Sequence, residues 1–188
     1  LKGRPIGVGA GISISHYELD KLLNRVGLSL RDVELKTVPA PQLGAGFRNG
    51  AVDAGIVYTP FTSLYPAQNL AVKLLDVDEH LDRATGGITL INTDWAKKSP
   101  DEAKRFFLAL ARGVRDYCQA YHHGPGRAEA QAIMLRHNVV DDAKLFDYFW
   151  GSRRASGEAD VETIFDIYQW LVKQGRSEEH TSELQSHL

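Results

Sequence analysis

Strand-like and helix-like segments alternate over residues 1–92, and from residue 93 to residue 175 only helical patterns follow. That order points to an open α/β sheet in the first half, because alternating strands and helices assemble as parallel βαβ units. Residues 4–9 (RPIGVG) read as a short buried strand, which runs into the glycine-rich loop GAGIS before Leu19, Leu22, Leu23 and Val26 mark a helix. Ser15-His16-Tyr17-Glu18 reads as a capping box, in which the Ser15 hydroxyl accepts from the third helical N–H and Glu18 reaches back. Residues 33–38 (VELKTV) alternate as a strand, Pro39 and Pro41 stop it, and residues 42–49 suit a short helix closed by Gly50. Residues 54–57 read as a buried strand, and Thr59-Pro60 fits an N-cap followed by a first-turn proline, opening a helix toward Gln68. Residues 72–77 and 88–92 are expected to add two strands.

The second half starts with a clear helix signal. Ser99-Pro100-Asp101-Glu102 supplies a cap, a first-turn proline and two acids, and Phe106, Phe107, Leu110, Val114, Tyr117, Cys118 and Tyr121 continue one face. Gly124-Pro125-Gly126 ends it, residues 128–137 and 142–149 supply two shorter helices, and residues 150–158 connect. Val161, Ile164, Phe165, Tyr168, Leu171 and Val172 form a last apolar stripe. These helices either bundle together or cover a sheet whose strands lie upstream of Leu1. In the second case the stripe of Phe106, Phe107, Leu110 and Val114 is expected to lack its cover.

The chain opens without Met and enters a strand pattern directly, which suggests an internal starting point. At the other end, residues 176–187 resemble the in-frame translation of a sequencing-library adaptor, so residues 176–188 are expected to be an artefact. The chain has 22 Lys and Arg against 24 Asp and Glu, a net charge of −2. Arg176, Glu178, Glu179 and Glu183 lie in that tail, so residues 1–175 are formally neutral. Balanced charge, 43% hydrophobic residues and a single cysteine exclude a polybasic nucleic-acid binder, an acidic disordered chain and a disulfide-stapled miniprotein. No apolar run approaches the roughly 20 residues that a bilayer crossing needs.

Catalytic signatures are missing from the sequence. It holds no HExxH, no paired-cysteine motif, no Gly-x-Ser-x-Gly and no phosphate loop with lysine, and Gly7-Val8-Gly9-Ala10-Gly11 fails the full dinucleotide spacing. His122 and His123 are neighbours, which on a helix point about 100° apart and make a poor metal pair. Cys118 sits on an apolar helix face and reads as a core residue. The reading is therefore a non-enzyme with no cofactor and no metal.

The opening LKGRPIGVGAGISISHYELDKLLNRVGLS, followed by NGAVDAGIVYTPF, resembles the second lobe of substrate-binding proteins of ABC importers. The branch is the one for nitrate, sulfonates, taurine and thiamine-pyrimidine precursors (NMT1/THI5-like). The later DWAKKSPDEAKRFFLALARGVRDY is similar to the family's return into its first lobe, so the resemblance covers residues 1–175. It implies an α/β fold of the type II periplasmic-binding-protein kind. Residues 1–92 would form the ligand-binding lobe two, and residues 93–175 would be a helical segment completing lobe one. The front of lobe one and a signal peptide would precede Leu1. The function implied is capture of a small anionic or aromatic solute, periplasmic or lipid-anchored at the cell surface, for delivery to a permease and ATPase complex. Neither nucleic acid nor a direct membrane span is implied. Two alternatives of similar architecture stay open. Pyrimidine-precursor synthases carry a Cys-rich segment that this chain lacks, and effector domains of LysR-type regulators lack a helical extension like residues 99–175.

In such receptors the ligand lies at the ends of sheet strands. Matching the family motif, Gly11, Ser13, Ile14, Ser15 and His16 would face the cleft. Backbone N–H groups, the positive end of the helix dipole and two hydroxyls there suit a sulfonate, carboxylate or phosphate. Ser15 alternatively spends its hydroxyl on the cap, and His16 alternatively is a surface helix residue. Thr59 offers a hydroxyl, and Tyr58 either a stacking face or core packing. Asp53 reads more as a turn-fixing residue than a ligand contact, Pro60 as structural, and Gly86-Gly87 as a crossover, hinge or simple turn.

Overall fold

The computed structural model describes residues 1–81, 89–121, 124–139, 143–146 and 160–175. The chain divides into two units, Leu1–Gly86 with Asp160–Leu188, and Gly87–Ala159.

The first unit is built on a three-stranded parallel sheet. β1 (Pro5–Val8) lies between β2 (Glu34–Thr37) and β3 (Ala54–Gly55), with Ile6 opposite both Leu35 and Ala54. Three helices accompany it: α1 (Ile14–Asn24), α2 (Ala40–Asn49) and α3 (Phe61–Ala67). Alternation along β1 sorts its side chains between two cores. Ile6 and Val8 are buried with Leu19 and Leu23 of α1 and with Val33. Gly7 turns the other way, where a Cβ would come within 2.3 Å of Leu43 Cδ2 from α2. Leu43 there packs with Val52 and Tyr65. Burying each of Ile6, Val8 and Leu43 contributes about 1.5–3 kcal/mol. Helix α2 ends as expected at Gly50, whose φ of 72° is the left-handed cap conformation that glycine adopts without strain.

Several expected boundaries move. α3 begins at Phe61, with Pro60 rather than Thr59 at its cap, and the Thr59–Pro60 peptide is cis. β3 is two residues long rather than four. Residues 72–76 form no strand, and Val77–His80 is a helical turn, α4. Residues 89–92 form no strand either, and residue 88 lies outside the described residues. Val72, Leu74 and Leu90 are 89%, 75% and 82% exposed. β-propensity reports fit to a pleated, half-buried surface, and these segments find no neighbour among the described residues to provide one.

In the second unit, α5 (Thr93–Lys98) is capped by the Asn92 side chain, which accepts from the Trp95 N–H at 2.9 Å. α6 (Pro100–Tyr121) starts where the Ser-Pro-Asp-Glu signal places it. The Gly124 N–H bonds the Gln119 carbonyl at 2.9 Å, and Arg127 donates to the carbonyls of Ala120 and Tyr121, satisfying the end of α6 with a cation. α7 (Arg127–Arg136) follows, and of the helix expected over 142–149 the described residues hold a short turn, Ala143–Leu145. Cys118 is buried, whereas Phe106, Phe107 and Leu110 are 45%, 42% and 37% exposed.

The last helix, α8 (Val161–Lys173), was expected with the helical segment 93–175, yet it packs on α1 of the first unit. Asp160 caps it by accepting from the Thr163 N–H at 3.2 Å. The Tyr17 hydroxyl donates to Asp166 at 2.5 Å, Lys21 pairs with Asp166 at 2.7 Å, and the Trp170 indole donates to Asp20 at 2.7 Å. Thr163 and Trp170 are the buried residues of α8, whereas Asp166 and, of the apolar stripe, Ile164, Phe165, Tyr168, Leu171 and Val172 are half-buried and Val161 is exposed. Among the described residues no helix is long and apolar enough to cross a membrane.

Candidate site at the strand ends

Because the three strands are parallel, the loops after β1, β2 and β3 leave the sheet on the same edge. The loop after β1 carries most of the polar chemistry. Gly11 has φ +63°, and a Cβ on Gly9 would meet Ser13 Oγ at 3.1 Å and Ser15 Oγ at 3.4 Å, so glycine lets both hydroxyls close onto the loop. The Gly9 N–H donates to Ser15 Oγ at 3.1 Å, and the Ser13 and Ser15 hydroxyls lie 2.8 Å apart.

The helix cap falls two residues before its expected place. Ser13 is the N-cap of α1 and His16 its capping-box partner, with His16 Nδ1 accepting from the Ser13 N–H at 3.3 Å and lying 3.2 Å from Ser13 Oγ. Ser15 and His16 are buried, Ser13 and Ile14 half-buried, and Gly11 exposed. His16 is thus neither a surface residue nor open to a ligand through Nδ1. Burial holds its imidazole below its ordinary pKa, which favours the neutral ring that accepts from Ser13. The N–H groups of Ile14 and Ser15, in the first turn of α1, have no acceptor within the helix and point out of its positive end.

Glu18 does not join the cap. It is 3% exposed and accepts the Tyr58 hydroxyl at 2.6 Å. Burial, the hydrogen bond and the carboxylate charge together push the Tyr58 phenol well above its ordinary pKa. The Tyr58 residue is nonetheless 41% exposed, and Thr59 beside it is exposed as well. Asp53 works on the sheet: its N–H donates to the Pro5 carbonyl at 2.9 Å and its carboxylate pairs with Arg4 Nε at 2.9 Å. Gly86, Gly87, His122 and His123 lie outside the described residues.

A second polar feature escaped the sequence reading. Tyr17, Lys21, Arg25, His80, Leu81 and Asp166 line an open depression of about 270 Å³. Its charges are occupied internally, Lys21 by Asp166 and Arg25 by the His80 carbonyl. The i, i+4, i+8 spacing of Tyr17, Lys21 and Arg25 marks one face of α1, but nothing local reveals Asp166 as their partner. No group of three or more His, Cys, Asp or Glu able to hold a metal occurs among the described residues.

The sequence model of the NMT1/THI5-like family matches residues 1–121. The chain belongs to this family. This NMT1/THI5-like chain is also 35% identical over 114 residues to a Bacillus subtilis (strain 168) protein named for binding aliphatic sulfonates, a match spanning 61% of the chain and 34% of that protein. Among solved structures it is similar to an alkanesulfonate-binding protein from Xanthomonas axonopodis pv. citri bound to MOPS. That match has a TM-score of 0.65 and 17% identity, over 95% of this chain and 60% of the other. The chain therefore spans about a third of the length of the curated relative and three fifths of the solved one. The structural likeness carries the fold, an α/β arrangement of the periplasmic-binding-protein kind, as the sequence led us to expect.

Proposed function

We propose that this chain is part of the solute-binding component of an ABC importer that captures a small organic anion, a sulfonate first among candidates. The supporting observation is the loop from Gly9 to Ser13. It brings two hydroxyls 2.8 Å apart beside the unpaired N–H groups at the start of α1, at the edge where three parallel strands end. Such donors hold an anionic headgroup through charge-assisted hydrogen bonds of about 1.5–3 kcal/mol each, and the helix dipole adds to them. The relatives named for sulfonates favour that headgroup over nitrate or a pyrimidine.

On this reading Ser13, Ile14 and Gly11 supply the headgroup contacts, Ser15 and His16 hold the loop in shape, and Tyr58 and Thr59 face the remainder of the ligand. Residues 1–92 act as the ligand-binding lobe, and residues 93–175, apart from α8, belong to the other lobe. The protein works outside the cytoplasmic membrane, free or lipid-anchored, and hands its solute to a permease and ATPase complex. Closure follows from the ligand's higher affinity for the closed form.

Titration calorimetry on the full-length protein tests this with methanesulfonate, ethanesulfonate, nitrate, acetate and an aminopyrimidine. Sulfonates are expected to bind with Kd on the order of micromolar, about −8 kcal/mol. Binding of the pyrimidine alone, with turnover of pyridoxal phosphate, would point to the synthase alternative instead.

A further inference from the structure

We infer that His16 is a positioning residue that aims the two hydroxyls of the loop in one direction, so that a bound anion receives a single hydroxyl proton, that of Ser13, released to it by His16 Nδ1. The inference rests on the proposed anion-binding role and deepens it, dividing two neighbouring hydroxyls into one that serves the ligand and one that supports its neighbour.

The direction follows from counting protons in a buried place. Each serine hydroxyl has one proton to give and two lone pairs to receive with. Ser15 is 3% exposed, and its oxygen already accepts from the Gly9 N–H at 3.1 Å. Among the described residues, the acceptor within reach of its proton is Ser13 Oγ at 2.8 Å. Were Ser13 to donate to Ser15 instead, the buried Ser15 proton would go unpaired, and such a group costs more than a typical bond gains. Ser15 therefore donates to Ser13, and the Ser13 proton turns to His16 Nδ1, 3.2 Å away. The ring is ready for it. Nδ1 also accepts from the Ser13 N–H at 3.3 Å, which places the ring proton of the neutral imidazole on Nε2.

The two hydroxyls then differ in what an anion can take from them. The Ser15 proton is buried in a bond of ordinary length. The Ser13 proton belongs to a half-buried residue, shares the one Nδ1 lone pair with the Ser13 N–H, and spans a distance long for a hydroxyl donor. Turning it to an anion exchanges that loose bond for a charge-assisted one, roughly twice as strong as a neutral bond. Nothing is stranded by the exchange, because Nδ1 keeps the Ser13 N–H. Ser15 goes on donating to Ser13 Oγ, which polarises the Ser13 hydroxyl toward the ligand.

Nitrogen-15 spectra of the imidazole rings in the full-length protein, with and without saturating methanesulfonate, test this. In the free protein His16 Nδ1 should read as an unprotonated acceptor, with the proton on Nε2. Methanesulfonate should move the Nδ1 signal toward that of a nitrogen with fewer donors and leave the tautomer unchanged. In Ser13→Ala the signal should sit at the moved position already and no longer respond to the ligand. Affinities supply a second measurement. His16→Leu should weaken methanesulfonate binding about as much as Ser13→Ala, His16→Asn, which keeps an acceptor at the same place, should stay within about twofold of the wild type, and the Ser13→Ala, His16→Leu double variant should bind no worse than either single one. A proton on Nδ1, an Nδ1 signal that the ligand leaves in place, or additive losses in the double variant overturn the inference and leave the anion site standing. The ring spectra need no His16 variant, so they decide even where His16→Leu does not fold. A wild-type protein that binds no sulfonate overturns the inference together with the anion reading.

Discussion

The Trp170 indole N–H donates to the Asp20 carboxylate at 2.7 Å, joining residues 150 apart in the chain. Beside it the Trp170 and Tyr17 rings meet edge to face, with centroids 5.7 Å apart at 81°. That seam fastens the last described helix to the helix whose first turn carries the candidate site. Trp170 is 6% exposed. Replacing it by Ala should cost about 3–5 kcal/mol, and by Phe about 1–2 kcal/mol, since Phe keeps the ring contact but leaves Asp20 without its donor. Urea unfolding of the variants measures both; a Trp170→Phe variant as stable as the wild type would mean that the hydrogen bond contributes nothing.

Two groups make stability depend on pH in separate windows. Burial lowers the His16 pKa from its ordinary value of 6.5, so folding favours the neutral ring. Its contribution is fully present above about 6.5 and is lost as pH falls below that toward the folded-state pKa. For Asp166, burial pushes the pKa up, but hydrogen bonds from Lys21 and Tyr17 and the charges of Lys21 and Lys173 prevail and hold it low. Its contribution is present above about 3.8 and is lost as pH falls further. Unfolding measured from pH 8 to pH 3 should show both losses, and His16→Gln should remove the upper one alone.

Gly7 sits in the central strand with its α-hydrogen face against Leu43. Because a Cβ would come within 2.3 Å of Leu43 Cδ2, and Leu43 is 1% exposed, Gly7→Ala should destabilise by about 1–3 kcal/mol. Gly113, whose Cβ would meet nothing within 4 Å, is the control. There Ala should be neutral or stabilising, as expected for a helix interior. The midpoint of denaturant unfolding checks the pair.

What was legible in the sequence was local. The strand RPIGVG, the left-handed Gly50 cap and the Ser-Pro-Asp-Glu start of α6 each depend on residues within one turn, and each appears where the pattern places it. The α1 cap shows the limit. Ser13 and Ser15 are both good caps, each with a polar residue three positions later, His16 and Glu18. The decision came from Tyr58, forty residues away, which takes Glu18 for itself. Residues 72–77 failed for a related reason, because a strand exists only beside another strand. On α8 the apolar stripe was visible, yet the hydrogen bonds to α1 run through Asp166 and Trp170, and no local pattern announces a hydrogen-bonding partner.

The central claim is that an anionic headgroup sits at the start of α1. Amide chemical shifts of the full-length, isotope-labelled protein titrated with ethanesulfonate test it most directly. The largest shifts should fall on the N–H groups of residues 10–15, and Ser13→Ala should weaken binding at least about fivefold while costing about 1 kcal/mol of stability through the cap. Saturable binding whose largest shifts lie elsewhere, with Ser13→Ala binding as the wild type does, would contradict the account.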